Sequence, residues 1–270
     1  MKVIVAIIVS KKDPAGLNIK ERLLELFNFK ETDELFENNK VYQYNNIKLY
    51  TTEKESIDCN YVDKEIGCEQ IIFATKHRSI EGRNSLSCHA PGNWSKAEVG
   101  GFEKKLSVAN PILLKNAFLT LNNIAKNSDY EITLECTHHG PLVNKPAMFI
   151  EIGSDEEQWK NKKAAEIIAK TTIEMLNKNN SYEIAFGIGG PHYCNTFNKV
   201  LLRTNIALGH ICPKYQLQNL NKEMLLQAIE KTIPKPEFIL LDWKGLGKEK
   251  QRIIDLIKEL NLKYKRTDSL

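Results

Sequence analysis

Met1-Lys2-Val3-Ile4-Val5-Ala6-Ile7-Ile8-Val9-Ser10 opens the chain with an unbroken apolar, mostly β-branched run. Val3 to Val9 shows no polar alternation, the pattern of a strand buried on both faces, as in a parallel sheet. Lys12-Asp13-Pro14-Ala15-Gly16 turns the chain, and Leu17 to Phe29 then carries Leu23, Leu24, Leu26 and Phe27 at helical spacing. Asp13-Pro14 fits an N-cap followed by proline in the first helical turn. The opening therefore reads strand, turn, helix. Its apolar run resembles a signal segment, but it is short, and Lys11-Lys12-Asp13-Pro14 stands where a small-residue cleavage site belongs. A cytoplasmic protein is expected.

The same alternation continues outward. Residues 41–50 read as a hairpin around Asn45-Asn46. Strands are predicted over Gln70–Thr75, Tyr130–Glu135, Ala147–Ile152, Glu183–Ile188, Asn205–Leu208 and Phe238–Leu241. Helices are predicted over Ser107–Asn127, Glu157–Lys178, Asn221–Thr232 and Gly247–Leu260, the second capped by Gly153-Ser154-Asp155-Glu156. Residues 79–104 have no period and hold Gly82, Pro91, Gly92, Gly100 and Gly101, so they read as a long functional loop. The expected fold is α/β, a mixed, largely parallel sheet flanked by helices. No repeat or linker divides it, and residues 1–270 are expected to form a single catalytic domain.

Bulk composition narrows the class. A hydrophobic share of 42% and a charged share of 27% suit a globular chain of 270 residues. No apolar run approaches the ~20 residues that span a bilayer, so no membrane role is expected. A formal charge of +4 permits an RNA partner without requiring one. Six cysteines in a cytosolic chain do not make a disulfide framework.

The six histidines fall in five short polar clusters, each behind an apolar run. They are Lys76-His77-Arg78, Ser87-Cys88-His89, Glu135-Cys136-Thr137-His138-His139-Gly140-Pro141, Gly189-Gly190-Pro191-His192-Tyr193 and Gly209-His210-Ile211-Cys212. Imidazole moves protons near neutral pH and binds zinc. At strand ends, beside Gly and Pro turns, it builds an α/β active site. His138 and His139 on an extended backbone point to opposite faces, so one faces the crevice as a base or ligand. Gly189-Gly190 offers backbone donors to an anion, but no Walker or dinucleotide motif surrounds it. Glu135 and Glu151, at strand ends, are candidates to orient an imidazole or move a proton. Lys76, Arg78, Arg83, Lys145, Lys214 and Lys244 could engage a polyphosphate, and Trp94, Trp243, Tyr193 and Tyr215 could stack a base. Surface charge and core packing account for each of these singly. No CxxC or HExxH spacing is present, so the cysteines read better as space-filling neighbours than as ligands.

Together these segments resemble the archaeal and plant type of D-aminoacyl-tRNA deacylase, in order and along nearly the whole chain. The resemblance rests on Asp13-Pro14-Ala15-Gly16 with Asn18-Ile19, Lys76-His77-Arg78-Ser79, and Leu86-Ser87-Cys88-His89 running on to Gly92-Asn93-Trp94. It continues through Thr137-His138-His139-Gly140-Pro141, Phe149-Ile150-Glu151-Ile152-Gly153-Ser154, Gly187-Ile188-Gly189-Gly190, His192-Tyr193, Gly209-His210-Ile211, Pro213-Lys214-Tyr215 and Leu241-Asp242-Trp243-Lys244-Gly245. It implies hydrolysis of the ester joining a D-amino acid to the 3′ end of tRNA, zinc as cofactor, and a core similar to peptidyl-tRNA hydrolases and phosphorylase-type proteins. Two departures, Cys194-Asn195 and Cys212, look like local substitutions. The expected catalytic residues are His138, His139, Glu151 and His192. The expected zinc ligands are His77, His89, His138 and His210. Asp13, Asn18, Lys76, Arg78, Asn93, Gly189, Gly190, Tyr193 and Lys214 are expected to contact substrate. The partner is then the acceptor end of tRNA carrying a D-amino acid, with no obligate protein partner and a monomer expected. Peptidyl-tRNA or other ester hydrolysis, and non-catalytic zinc-stabilised RNA binding, remain alternatives from the residues alone.

Overall fold

The computed structural model describes residues 4–79 and 82–270. Its first strand, β1 (Val5–Ser10), is buried at all six positions, as its sequence demands. Val3, the expected first residue of that strand, lies outside the described residues, as do Met1 and Lys2. Helix α1 (Pro14–Leu26) follows. Asp13 caps it, its Oδ1 accepting from the Gly16 N–H at 2.9 Å. Its Oδ2 accepts from the Lys76 N–H at 2.8 Å. One buried carboxylate thus ties the end of β1 to the start of α1 and to the end of β5 (Gln70–Lys76).

The larger sheet has eight strands. β2 (Lys30–Phe36), β3 (Asn39–Tyr44) and β4 (Ile47–Thr52) form an antiparallel meander that meets β1. β1 pairs parallel with β4 and β5, and β5 pairs parallel with β8 (Ala147–Gly153). β6 (Ser85–His89) runs antiparallel to β8 and parallel to β7 (Glu131–Leu134). The order is β2-β3-β4-β1-β5-β8-β6-β7. Helices α1, α2 (Pro111–Ile124) and α4 (Lys162–Leu176) pack together over one face. The opposite face buries Phe73, Phe149, Ile71 and Tyr50 under residues 59–68.

The second sheet has four parallel strands in the order β10-β9-β11-β12. They are β9 (Glu183–Ile188), β10 (Ile206–Cys212), β11 (Phe238–Leu241) and β12 (Tyr264–Arg266). α6 (Lys222–Glu230) and α7 (Lys250–Glu259) cover one face, and α2 meets the other. The architecture is the mixed, largely parallel α/β fold expected.

Four local expectations change. The expected loop 79–104 contains β6, whose five residues are all buried. The strand expected to stop at Leu208 continues to Cys212, which places His210 inside β10 rather than at its end. The helix expected over Glu157–Lys178 is two, α3 (Glu156–Trp159) and α4. Asn161 interrupts them and caps α4 through bonds from Lys163 and Ala164 N–H. α2 begins only at Pro111, because Asn110 caps it. β2, β12 and α5 (Asn195–Arg203) carry weak apolar patterns and were not anticipated.

Lys115 links α2 to the second sheet. It is buried, and its Nζ donates to the carbonyls of Thr204 at 2.6 Å and Ile206 at 2.8 Å. Burial pushes its pKa down to about 8 from 10.5. Between those values the unfolded chain holds a proton that the folded chain has released, so this group's contribution to stability rises with pH. Urea titrations across that window should show wild type gaining on Lys115→Met as pH rises, and a constant difference would refute the assignment. For Asp13→Ala, a lost cap of ~1 kcal/mol and a buried N–H without a partner, ~1–3 kcal/mol, predict a loss of about 2–4 kcal/mol in denaturant unfolding.

Candidate active site

Three strands, β5, β8 and β6, lay a grid of side chains on the face away from the helices. The register pairs Phe73 with Phe149 and Phe149 with His89, then Thr75 with Glu151 and Glu151 with Ser87. Because strand side chains alternate with period two, these rows share one face. In the first row Phe73 stacks on Phe149 at 4.8 Å and Phe149 on His89 at 5.1 Å. In the second, Glu151 accepts from Thr75 Oγ1 at 2.9 Å and from Ser87 Oγ at 3.3 Å. His77 lies beyond Thr75 and packs over Gly153, where a Cβ would come within 2.9 Å of the His77 ring.

The segment after β7 crosses from this sheet to the second. Its Cys136 N–H donates to His192 O at 2.9 Å, and its Thr137 N–H to Ile211 O at 3.0 Å. The crossing brings Glu135, His138 and His139 over the grid, and the loop after β9 adds His192. His139 sits at φ 44°, a left-handed conformation uncommon for a residue with a side chain. Its turn is pressed against Gly100-Gly101, and a Cβ on Gly140 would lie 2.2 Å from Gly101 N. Five of the six histidines now form one cluster around Glu135 and Glu151. Its mouth is a cavity of about 320 Å³ lined also by Asp13, Glu55, Ile57, Lys76, Arg78 and Val99.

The cluster divides electrostatically. His192 Nε2 lies 3.0 Å from Glu135 Oε2, and His77 Nδ1 lies 3.4 Å from Glu151 Oε2 and 3.6 Å from Glu135 Oε1. Burial alone would lower both imidazoles. For His77 the hydrogen bond to Glu151 and the two carboxylate charges outweigh it, pushing the pKa up to about 8. For His192 the bonds to Cys136 and Glu135 do the same, to about 10. Burial would raise Glu151, yet its bond to His77 and the His89 ring 3.7 Å away hold it well below the usual carboxylate range.

His138 and His139 behave oppositely. Burial, then the neighbouring imidazoles, lower His138 well below its ordinary value and His139 to about 4. The Nδ1 atoms of His89, His138 and His139 lie 3.3, 2.8 and 2.6 Å from the carbonyls of Ala90, Cys136 and Gly140. A carbonyl only accepts, so each Nδ1 carries a proton, and in the neutral His138 and His139 each Nε2 keeps its lone pair. His89 Nε2 and Glu135 Oε1 are buried without a hydrogen-bond partner. Neutral imidazoles with backbone-fixed tautomers and bare Nε2 atoms are what a metal ion needs from its ligands. His89, His138 and His139 bring one ligand atom each within 4.8 Å of one another. So do Cys136, His138 and His192, and so do His77, Glu135 and Glu151. The residues fit a metal.

Other expected residues lie elsewhere. His210 is fully buried, with Nε2 donating to Ser107 O at 2.9 Å and Nδ1 3.0 Å from the Thr137 hydroxyl. Both ring nitrogens are spent, and His210 does not join the cluster. Asn18 donates to the carbonyls of Trp159 and Asn161, and Asn93 to those of Gly100 and Phe102. Both position backbone. Gly189 N–H is committed to Cys212 O at 2.8 Å, and Gly190 O accepts from Lys214 N–H at 2.8 Å. Tyr193 does reach the cluster, its hydroxyl 3.4 Å from His77 Nε2 and 2.9 Å from Ser79 Oγ. Tyr215 was expected only to stack a base, but its hydroxyl lies 3.2 Å from His192 Nδ1 and 3.4 Å from Cys136 Sγ. Thr75, Ser87 and Phe149 were missed. The alternations Phe73-Thr75-His77, Ser85-Ser87-His89 and Phe149-Glu151-Gly153 were the available signal.

A family model described as D-aminoacyl-tRNA deacylase matches residues 64–265. A protein of Pyrococcus furiosus named D-aminoacyl-tRNA deacylase is 40% identical over 266 residues, covering 96% of this chain and 98% of its own. One of Archaeoglobus fulgidus with the same name is 32% identical, covering 94% and 92%. A crystal structure of a conserved protein of unknown function superposes with a TM-score of 0.92 at 30% identity, covering 100% of this chain and 97% of that one.

Metal analysis of dialysed protein should separate the histidines. His89→Ala and His139→Ala are expected to lose bound metal, whereas His210→Asn keeps the wild-type stoichiometry while lowering thermal stability. Equal metal content in all three variants would remove the assignment.

Proposed function

The chain belongs to the D-aminoacyl-tRNA deacylase family, and from that membership we propose that it hydrolyses the ester between a D-amino acid and the 3′-terminal ribose of tRNA, with zinc as its metal. The observation that carries the chemistry is the joint presence, beside one cavity, of three clustered imidazoles whose Nδ1 atoms face backbone carbonyls, with His138 and His139 held neutral, and of two imidazoles held cationic by buried carboxylates. His89, His138 and His139 would hold the zinc, which when bound supplies a Lewis acid and lowers the pKa of water.

Ester hydrolysis also requires stabilisation of charge on the carbonyl oxygen and a proton for the leaving ribose oxygen. His192, pushed up to about 10, keeps its charge at neutral pH and suits the first task. His77, at about 8, lies nearer the working pH and suits the second. Glu135 and Glu151 hold these imidazoles protonated and oriented. Backbone donation from Gly189 is not needed in this scheme, since its N–H serves Cys212. Lys76 and Arg78, at the cavity wall, suit the terminal phosphate. Among the described residues no helix is long and apolar enough to cross a membrane. A cytoplasmic monomer acting as one catalytic domain over 1–270 fits a tRNA substrate.

Purified protein is expected to deacylate D-Tyr-tRNA and spare L-Tyr-tRNA, to lose activity on chelation and to regain it with zinc. Replacing both His138 and His139 with Ala should lower kcat on the order of 10²-fold or more. Equal cleavage of both enantiomers, or preference for an N-blocked aminoacyl-tRNA, would sink the reading.

A further inference from the structure

The four strands of the second sheet are parallel, so the loops after β9, β10, β11 and β12 all emerge at one rim. His192 stands in the first of these loops, above β9. The loop after β10 carries Lys214 and Tyr215, the loop after β11 carries Lys244 and Lys248, Lys250 opens α7, and β12 ends in Arg266. The rim is continuous with the catalytic cluster. The Tyr215 hydroxyl lies 3.2 Å from His192 Nδ1, and the Lys214 N–H donates to Gly190 O at 2.8 Å. A Cβ on Gly247 would lie 3.9 Å from Lys214 Nζ, so the β10 and β11 loops touch.

Charge concentrates here. Of the cations in residues 241–270, Lys244, Lys248, Lys250 and Arg266 stand at this rim, whereas Lys265 pairs with Glu183 at the start of β9. The carboxylates of these thirty residues near the rim are already engaged. Asp242 is buried and accepts from Gly245 N–H at 3.2 Å, Glu249 pairs with Arg252 at 2.7 Å, and Asp268 pairs with Arg266 at 2.6 Å. Among the described residues, Lys214, Lys244, Lys248 and Lys250 have no carboxylate in ion-pair contact. Lys250 Nζ and the Arg266 guanidinium lie 4.3 and 3.9 Å from the Trp243 ring centroid, which fixes Lys250 and one further cation in place. Tyr215, 51% exposed, offers an aromatic face beside Lys214.

We propose that this rim is the track for the single-stranded 3′ end of the tRNA, with the ester in the histidine cluster and the preceding phosphates along Lys214, Lys244, Lys248 and Lys250. The inference rests on the deacylase reading and adds where the RNA runs. Cations interleaved with an exposed aromatic are the signature of single-strand binding, with phosphates on the charges and a base on the ring. The length fits. Strands about 4.8 Å apart put β10 and β12 about 14 Å from each other. At a rise of ~3.4 Å per stacked nucleotide, that spans about four nucleotides. Lys145, by contrast, precedes β8 and lies at the opposite edge of the first sheet from Glu151.

The test compares wild type with Lys248→Glu/Lys250→Glu on three D-Tyr esters: adenosine, the trinucleotide CCA and full tRNA. The expected result is a KM raised at least 10-fold for the trinucleotide and tRNA esters, kcat held, and the adenosine ester cleaved as by wild type. That last arm also verifies folding. The dependence of log(kcat/KM) on log salt should become shallower by about 1–2, since each single-strand phosphate contact contributes roughly 0.7. The pair Lys163→Glu/Lys170→Glu, on α4 over the first sheet, should change none of these values. An unchanged KM for the trinucleotide ester would overturn the track, as would a rise shared equally by the adenosine ester. Wild-type protein inert toward all three esters would instead sink the deacylase reading itself.

Discussion

A carboxylate fixed in the middle of a sheet is the constraint on which the site depends. Glu151 is 2% exposed and stands on β8 between two flanking strands. Removing a charge from water costs several kcal/mol unless partners surround it. Its partners are Thr75 and His77 from the β5 side and Ser87 and His89 from β6. The strand order β5-β8-β6 is therefore demanded by the charge as well as by the core. Slipping β8 by one residue would turn Glu151 toward Ile168 and Leu114 under the helices and bring Ile150 or Ile152 to the cavity. That side is lined by apolar side chains such as Leu86, Ile150 and Ile152.

This dependence explains what the sequence disclosed and what it withheld. Continuous apolar runs such as Val5–Ser10, Glu183–Ile188 and Phe238–Leu241 announce strands buried on both faces, because nothing else buries so many β-branched residues in so few positions. β6 escaped because Ser85-Leu86-Ser87-Cys88-His89 alternates polar and apolar residues with both sets buried. Its polar side chains face the site rather than water, which a rule linking polarity to exposure misreads. Long polar gaps hid α5 and β12 for a simpler reason, since their stability comes from tertiary contact more than local pattern. The helix read over Glu157–Lys178 kept its apolar spacing through the break at Asn161, and only the cap geometry shows two helices.

The histidines show the same limit from the other side. Their clustering at strand ends was visible as residue types, and five of the six do converge. His210 looked identical in sequence, a His after a Gly at a predicted strand end. Its strand runs on to Cys212, however, and Thr137 and Ser107 take both ring nitrogens. Its function is to hold the crossing segment in place. Thr137 accepts from Ile211 N–H and faces His210 Nδ1, so the residue just before His138 is clamped to the second sheet. A histidine outside the cluster thereby helps set the position of two within it.

That clamp also accounts for two kinds of imidazole a few ångströms apart. His138 and His192 have ring centroids only 4.5 Å apart, yet the first is held neutral and the second charged. Burial pushes both toward neutrality. The difference lies in what each Nδ1 meets. For His138 it is a backbone carbonyl, which fixes the proton on that nitrogen and bares the other. For His192, Nδ1 faces Cys136 and Tyr215 while Nε2 meets Glu135, so a second proton is stabilised between two acceptors. Cys136 provides both contrasting partners, its carbonyl to His138 and its sulfur to His192. One crossing segment thus sorts a neutral imidazole from a charged one.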